Sequence, residues 1–338
     1  MGISDTKIPA LTLVIPCFNE EAVLPETIKQ LTIIFDDLIS KSKISINSMI
    51  LLVDDGSRDS TWSIINEHNT TNPYVHGMKL AKNAGHQNAL LAGLIFAKDF
   101  SDCIVSIDSD LQDDIHVIYE FLEKYQEGYD VVYGVRRGRS TDTFFKRNSA
   151  LAFYKLMHSM GVNVVFNHAD YRLMSKRAVE HLSTFKEVNL FLRGIIPLIG
   201  FKSTEVYYDR NERFAGESKY PLKKMLAFAF DGITSFSVTP IRMISAIGIL
   251  MSLFSILVAL YSIISKLTEQ TASGWSSLML SIWFIGGLQL LAMGLIGEYI
   301  GKIYKEVKVR PRYIIETVTI PEVEANNNQT AVLASASY

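Results

Sequence analysis

The sequence predicts an α/β domain on a mostly parallel sheet, followed by a carboxyl-terminal part made of two long apolar helices. Three observations lead there. Short Val- and Ile-rich runs alternate with helical patterns before residue 140. Polar clusters stand at the ends of those runs, where open α/β sheets bind ligands. Two apolar stretches without a single charge then follow.

The strand-like runs are Leu11–Ile15, Met49–Val53, Cys103–Ile107 and Val131–Tyr133. Between the first two, Glu21 to Ile39 carries apolar residues at Val23, Leu24, Ile28, Leu31 and Phe35, a helical period. A second helical pattern runs from Asn88 to Ala97. The strand ends carry Cys17-Phe18-Asn19-Glu20, Asp54-Asp55-Gly56-Ser57 and Asp108-Ser109-Asp110. Acidic and amide groups converging on one edge suit a charged small molecule.

Met243–Ser265 and Gln270–Gly297 hold no charged residue, and at about 1.5 Å per residue each is long enough to cross a hydrocarbon core about 30 Å thick. The second run carries Gly286, Gly287, Gly294 and Gly297, small residues suited to close helix contacts in lipid. Two transmembrane helices are expected. Lys223, Lys224 and Arg242 precede them, and Lys302, Lys305, Lys308, Arg310 and Arg312 follow. The positive-inside rule puts both termini and the amino-terminal domain in the cytoplasm, on the inner face of the plasma membrane. Asn69-Thr70-Thr71 and Asn328-Gln329-Thr330 read as chance sequons on that side. No signal peptide is expected.

The expected organisation is a catalytic domain over 1–219, amphipathic juxtamembrane helices over 220–240, a two-helix hairpin over 241–300, and a basic segment with a disordered tail over 301–338. In the juxtamembrane stretch, Lys223 and Lys224 alternate with Leu222, Met225, Leu226, Phe228 and Phe230, a composition suited to the headgroup region.

Composition fits this plan. The chain has 338 residues, 48% of them hydrophobic and 20% charged, which excludes a disordered chain or a low-complexity fibre. Lys+Arg 33 against Asp+Glu 35 gives a formal net charge of -2, without the basic excess a nucleic-acid binder needs. Cys17 and Cys103 lie in apolar runs and are expected as core residues, too few for a disulfide framework or a zinc site.

Asp108 and Asp110 carry the sharpest chemistry. Alternation after a strand sends the two carboxylates to different jobs, one toward a ribose or base and the other toward a divalent ion. Oxygen-only ligands favour Mg²⁺ or Mn²⁺, ions that bridge diphosphate oxygens and neutralise charge on a leaving nucleoside diphosphate. The Asp54–Thr61 stretch, DDGSRDST, reads both as a turn with a helix N-cap and as a nucleotide contact.

Val14-Ile15-Pro16-Cys17-Phe18-Asn19-Glu20-Glu21, the DDGSRDST stretch and Asp108-Ser109-Asp110-Leu111-Gln112-Asp113 together resemble the family-two inverting glycosyltransferases of GT-A fold. Gly134-Val135-Arg136, Ala169–Ser175 and Arg213–Tyr220 resemble their polyprenyl-phosphate branch, the dolichol-phosphate mannose synthases and bactoprenol-phosphate glucosyltransferases. Ile115 departs from the proline often found after the acidic run. The resemblance implies a Rossmann-like GT-A catalytic domain that transfers a hexose, glucose from UDP-glucose, to undecaprenyl or a similar polyprenyl phosphate. It implies that Pro16, Asn19, Glu20, Asp54 and Asp108 line the nucleotide-sugar site, with Asp110 and Gln112 on the metal. Arg136, Arg147, Ser149, Arg213 and Lys219 would meet donor or acceptor phosphates. Asp170 matches the position often assigned as base, although a phosphate monoester, with a second pKa of about 6, is already largely dianionic at neutral pH. The family's habits also imply a homo-oligomer, a tetramer among the options. Three alternatives stay open: a GDP-mannose-dependent mannosyltransferase, a processive polysaccharide synthase, which lacks here its Q-x-x-R-W element, and a non-catalytic membrane scaffold.

Overall fold

The computed structural model describes residues 8–137, 168–188, 190–209, 234, 237–267 and 274–319. Arg147, Ser149, Arg213 and Lys219 lie outside them, as does most of the juxtamembrane stretch. The described residues fall into two units, the sheet with its helices (which includes 310–319) and a second unit holding two long helices.

The first unit is built on eight strands: β1 (Leu11–Cys17), β2 (Met49–Asp54), β3 (Val75–Leu80), β4 (Cys103–Ser106), β5 (Val131–Arg136), β6 (His168–Ser175), β7 (Ser203–Tyr208) and β8 (Ile315–Val318). They lie in the order β7-β5-β6-β4-β1-β2-β3-β8. The pairs among β4, β1, β2 and β3, and that of β5 with β7, are parallel; β6 and β8 run antiparallel to their neighbours. All seven residues of β1 are buried, the pattern of a central strand covered on both faces.

Helices α1 (Leu24–Ser40), α2 (Thr61–Thr71), α3 (His86–Ala97) and α4 (Val117–Gln126) cover the faces. On α1, Leu24, Ile28, Leu31, Phe35 and Leu38 form one buried stripe, and proline opens the helix, where its missing N–H costs nothing. Helix α3 is buried nearly all round; a Cβ on Gly93 would lie 2.4 Å from Val14 Cγ1, so glycine lets this helix press onto β1 and β2. Two short helices, α5 (Lys176–Leu182) and α6 (Leu192–Leu198), follow β6. Ser175 caps α5 by accepting the Ala178 N–H.

Segment 301–338, expected as a basic stretch and tail, contributes a strand. β8 pairs with β3, with Met78 opposite Val318 and Lys79 opposite Thr317. The tail beyond Pro321 lies outside the described residues.

The second unit holds α7 (Thr239–Leu267) and α8 (Trp275–Val307). Both are long and apolar enough to cross a membrane, over Thr239–Val258 and Phe284–Val307. Leu250, Phe254, Leu257, Leu290, Leu291 and Met293 stand exposed on them. Near their polar ends, Lys302 donates to Thr234 and Tyr299 to the Ser237 carbonyl.

Candidate active site

Topology gathers the site. The carboxyl ends of parallel β1, β2 and β4 meet at one edge, with Cys17 beside Asp54 in the register. Because β6 runs the other way, its beginning arrives at that same edge: Ser106 pairs with Arg172, and Ser106 Oγ donates to the Asp170 carbonyl at 2.5 Å. Asp170, 62 positions beyond Asp108, thereby becomes its neighbour.

The β1 and β2 loops are knitted together. Asn19 sits in the left-handed region at φ 55°, tolerable for asparagine. Its N–H donates to Ser57 Oγ at 3.0 Å, and its Oδ1 accepts the Arg58 N–H at 2.9 Å. The Glu20 N–H donates to Thr61 Oγ1 at 2.9 Å. Pro16 lies within β1, opposite Val53. Asp54 is buried; Oδ1 accepts the Ser57 N–H at 3.0 Å, while Oδ2 has no hydrogen-bond partner. Burial raises its pKa against the Ser57 bonds. A buried acceptor left over beside the strand ends is suited to an imide or hydroxyl donor from a ligand.

Asp55 holds the next loop. Its two oxygens accept the N–H groups of Ala84 and Gly85 at 2.6 and 2.9 Å. Gly56, at φ +68°, leaves no room for a side chain, since a Cβ would lie 2.7 Å from the Asn83 nitrogen. This cradle presents His86, whose Nε2 lies 3.5 Å from Asp108 Oδ1 and 3.8 Å from Asp170 Oδ2.

The Asp108–Gln112 turn is pinned from below by Thr27, whose hydroxyl donates to the Ser109 carbonyl at 2.7 Å. Leu111 is held at φ 54°, and Asp110 Oδ1 accepts the Gln112 N–H at 3.2 Å. The Asp108 carboxyl is pushed up to about 6 by burial and by Asp170, Asp113 and Asp110, with His86 opposing. Its side chain keeps 36% exposure, so solvent tempers that push.

Asp170 is the reverse case. Burial works to raise its pKa, yet Arg193, Arg172 and His86 hold it far below the usual carboxylate range. Arg193 forks onto it, Nε to Oδ1 at 3.2 Å and Nη2 to Oδ2 at 3.1 Å, and Arg172 donates to Oδ1. Arg136 puts Nε and Nη2 on Asp113 Oδ1 at 3.1 and 2.9 Å, and Tyr208 donates to the same oxygen at 2.6 Å. Asp113 and Arg172 stand inside motifs quoted from the sequence, whereas Arg193 stands in none. Arg193 reaches Asp170 from a helix 23 positions further on, a pairing with no local signal.

Residues 12–183 match Glycosyl transferase family 2. The chain belongs to that family. It is a glycosyltransferase with a GT-A sheet. It is 59% identical over 308 residues to the uncharacterized glycosyltransferase YkoT of Bacillus subtilis (strain 168), covering 91% of each chain. It is 41% identical over 311 residues to the SfII prophage-derived bactoprenol glucosyl transferase of Shigella flexneri, covering 90% of this chain and 97% of that one. A prophage bactoprenol glucosyl transferase homolog of Escherichia coli (strain K12) is 39% identical over 91% of this chain and 99% of its own.

Proposed function

We propose that this glycosyltransferase moves a hexose, glucose from UDP-glucose, onto a polyprenyl phosphate of the undecaprenyl class at the cytoplasmic face of a membrane. The observation that carries this reading is the joining, in one family-two chain, of the Asp54–Asp108–Asp170 edge to two helices apolar enough to span a bilayer. The names of the Shigella and Escherichia relatives support the lipid-phosphate acceptor.

In this reading Asn19, Glu20 and Pro16 frame the nucleoside pocket, Asp54 accepts from the base and Asp108 from the ribose. Asp110 and Gln112 would hold Mg²⁺ or Mn²⁺. Their oxygen donors fit such an ion. When bound, the ion supplies neutralisation of the charge growing on the leaving diphosphate. The acceptor phosphate oxygen attacks the anomeric carbon in line, the bond to the nucleoside diphosphate breaks, and configuration inverts. From a UDP-α-sugar the product is a β-linked lipid phosphosugar. Arg213 and Lys219 would close over the phosphates, and Arg136, Arg147 and Ser149 would meet phosphate oxygens of donor or acceptor.

The test offers purified protein in detergent a short polyprenyl phosphate, Mn²⁺ or Mg²⁺, and in turn UDP-glucose, UDP-GlcNAc, UDP-galactose and GDP-mannose. Lipid- and metal-dependent turnover with UDP-glucose is the expected result. Turnover with GDP-mannose alone would replace the donor, and silence with every donor in folded protein would favour the scaffold. Asp110→Asn should abolish transfer without unfolding the protein; near-normal turnover in that variant removes Asp110 from the metal.

A further inference from the structure

The surroundings of Asp170 argue against a base. Both oxygens are engaged by the Arg193 fork, and Oδ1 also takes Arg172. Side-on, two-point pairing fixes the plane of a guanidinium as no single bond does. The two arginines differ in access: the Arg172 side chain is 1% exposed, that of Arg193 is 30% exposed. Arg172 is a buried counter-charge, whereas Arg193 shows part of its surface to solvent.

The backbone under Arg193 is held separately. Gln87 Oε1 accepts the Leu192 N–H at 3.0 Å, tying the start of α6 to the start of α3. The preceding residue on α3, His86, bridges towards Asp108 and Asp170. Arg193 is therefore fixed at both ends, one carboxylate away from the donor edge. That edge carries Asp108, Asp110 and Asp170, and a phosphate dianion approaching three carboxylates needs a cation placed in advance.

We propose that Arg193 binds the acceptor phosphate and that Asp170 is the positioning residue that holds it there. The proposal rests on the lipid-phosphate reading above. Asp170 takes no proton in this scheme. The acceptor dianion brings its own electron pair to the anomeric carbon, and the pair of the broken C–O bond departs with the nucleoside diphosphate.

The experiment uses the full-length protein in detergent, as wild type, Arg193→Ala, Arg193→Lys, Asp170→Asn and the Asp170→Asn/Arg193→Ala double variant. Initial rates are measured against acceptor at saturating donor, and against donor at saturating acceptor; UDP binding is measured by calorimetry. Arg193→Ala should raise the acceptor KM about tenfold or more, the scale of one lost charge-assisted hydrogen bond, and leave UDP binding within about twofold. Arg193→Lys and added guanidinium should each recover part of the loss. Asp170→Asn should move the acceptor KM in the same direction, and the double variant should be no worse than Arg193→Ala, as for two residues acting as one unit. An unchanged acceptor KM in Arg193→Ala, or a rise in donor KM in its place, overturns the proposal. So does an Asp170→Asn enzyme that loses kcat alone. Should Arg193→Ala fail to bind UDP or to melt cooperatively, Arg193→Lys and Arg193→Gln carry the same comparison. A silent wild type overturns the lipid-phosphate reading and this proposal with it; an active wild type indifferent to Arg193 overturns the proposal alone.

Discussion

Asp170 and Asp108 lie on the same edge and are pushed in opposite directions. Burial raises both, but only Asp170 has two guanidinium groups against it, and these outweigh burial. The sign has consequences. A carboxyl held below its ordinary value of 3.8 is ionised throughout any usable assay range. Its contribution to stability is complete above the unfolded pKa and is lost only as pH falls through the folded one. Asp170 therefore cannot produce an acid limb between pH 5 and 7, whereas an acceptor phosphate with a second pKa of about 6 and Asp108, pushed up to about 6 by burial, both do. The log kcat/KM profile of the wild type should bend near that value, and an acid limb should persist in Asp170→Asn. A limb that vanishes with the carboxylate would restore Asp170 as the base.

At the scale of elements, β8 is the piece that composition hid. Lys79 meets Glu316 at 3.1 Å, Thr319 exchanges bonds with Gly77 through its hydroxyl and its N–H at 2.7 and 2.8 Å, and the Ala81 N–H donates to Ile314 at 2.9 Å. Together these close the open edge of β3, which would otherwise present unpaired main-chain groups. A chain ended after Ile320 should melt like the full protein, whereas one ended after Arg312 should lose about 2–4 kcal/mol, a few net hydrogen bonds' worth. Thermal unfolding in detergent reads the difference, and equal melting temperatures would make β8 dispensable. The same strand shows where sequence reading ends. β1, β2, β4 and β5 are legible as Val- and Ile-rich runs because both of their faces are buried. β8 has four residues, none fully buried, and β7 buries only Val206 and Tyr208, so neither has a hydrophobic period to read. β3 contains His76, Gly77 and Lys79, and β6 carries Asp170 and Arg172, charges that look like surface until they pair. The site divides likewise. Asn19, Asp54, Asp108 and Asp110 stand in local motifs at strand ends, but the link from His86 through Asp170 to Arg193 exists only once β6 has turned back along β4.

For the whole molecule, a lipid-phosphate acceptor demands that the catalytic edge and the hairpin work on one side of the bilayer. Three lysine or arginine residues flank the first span and five follow the second, while the loop between holds Lys266 offset by Glu269. On the positive-inside rule the proposed topology has the loop outward and both termini inward. The chain is well suited to a thiol-labelling test. Its two cysteines are buried, and burial drives both thiols up and away from the reactive thiolate. A membrane-impermeant maleimide should therefore leave the wild type unlabelled in intact cells. Lys266→Cys should label in those cells, and Ser335→Cys only after the membrane is opened. Labelling of Ser335→Cys from outside, with Lys266→Cys protected, would invert the topology. It would also put the catalytic domain on the side where nucleotide sugars are not made, and the proposed reaction would lose its donor.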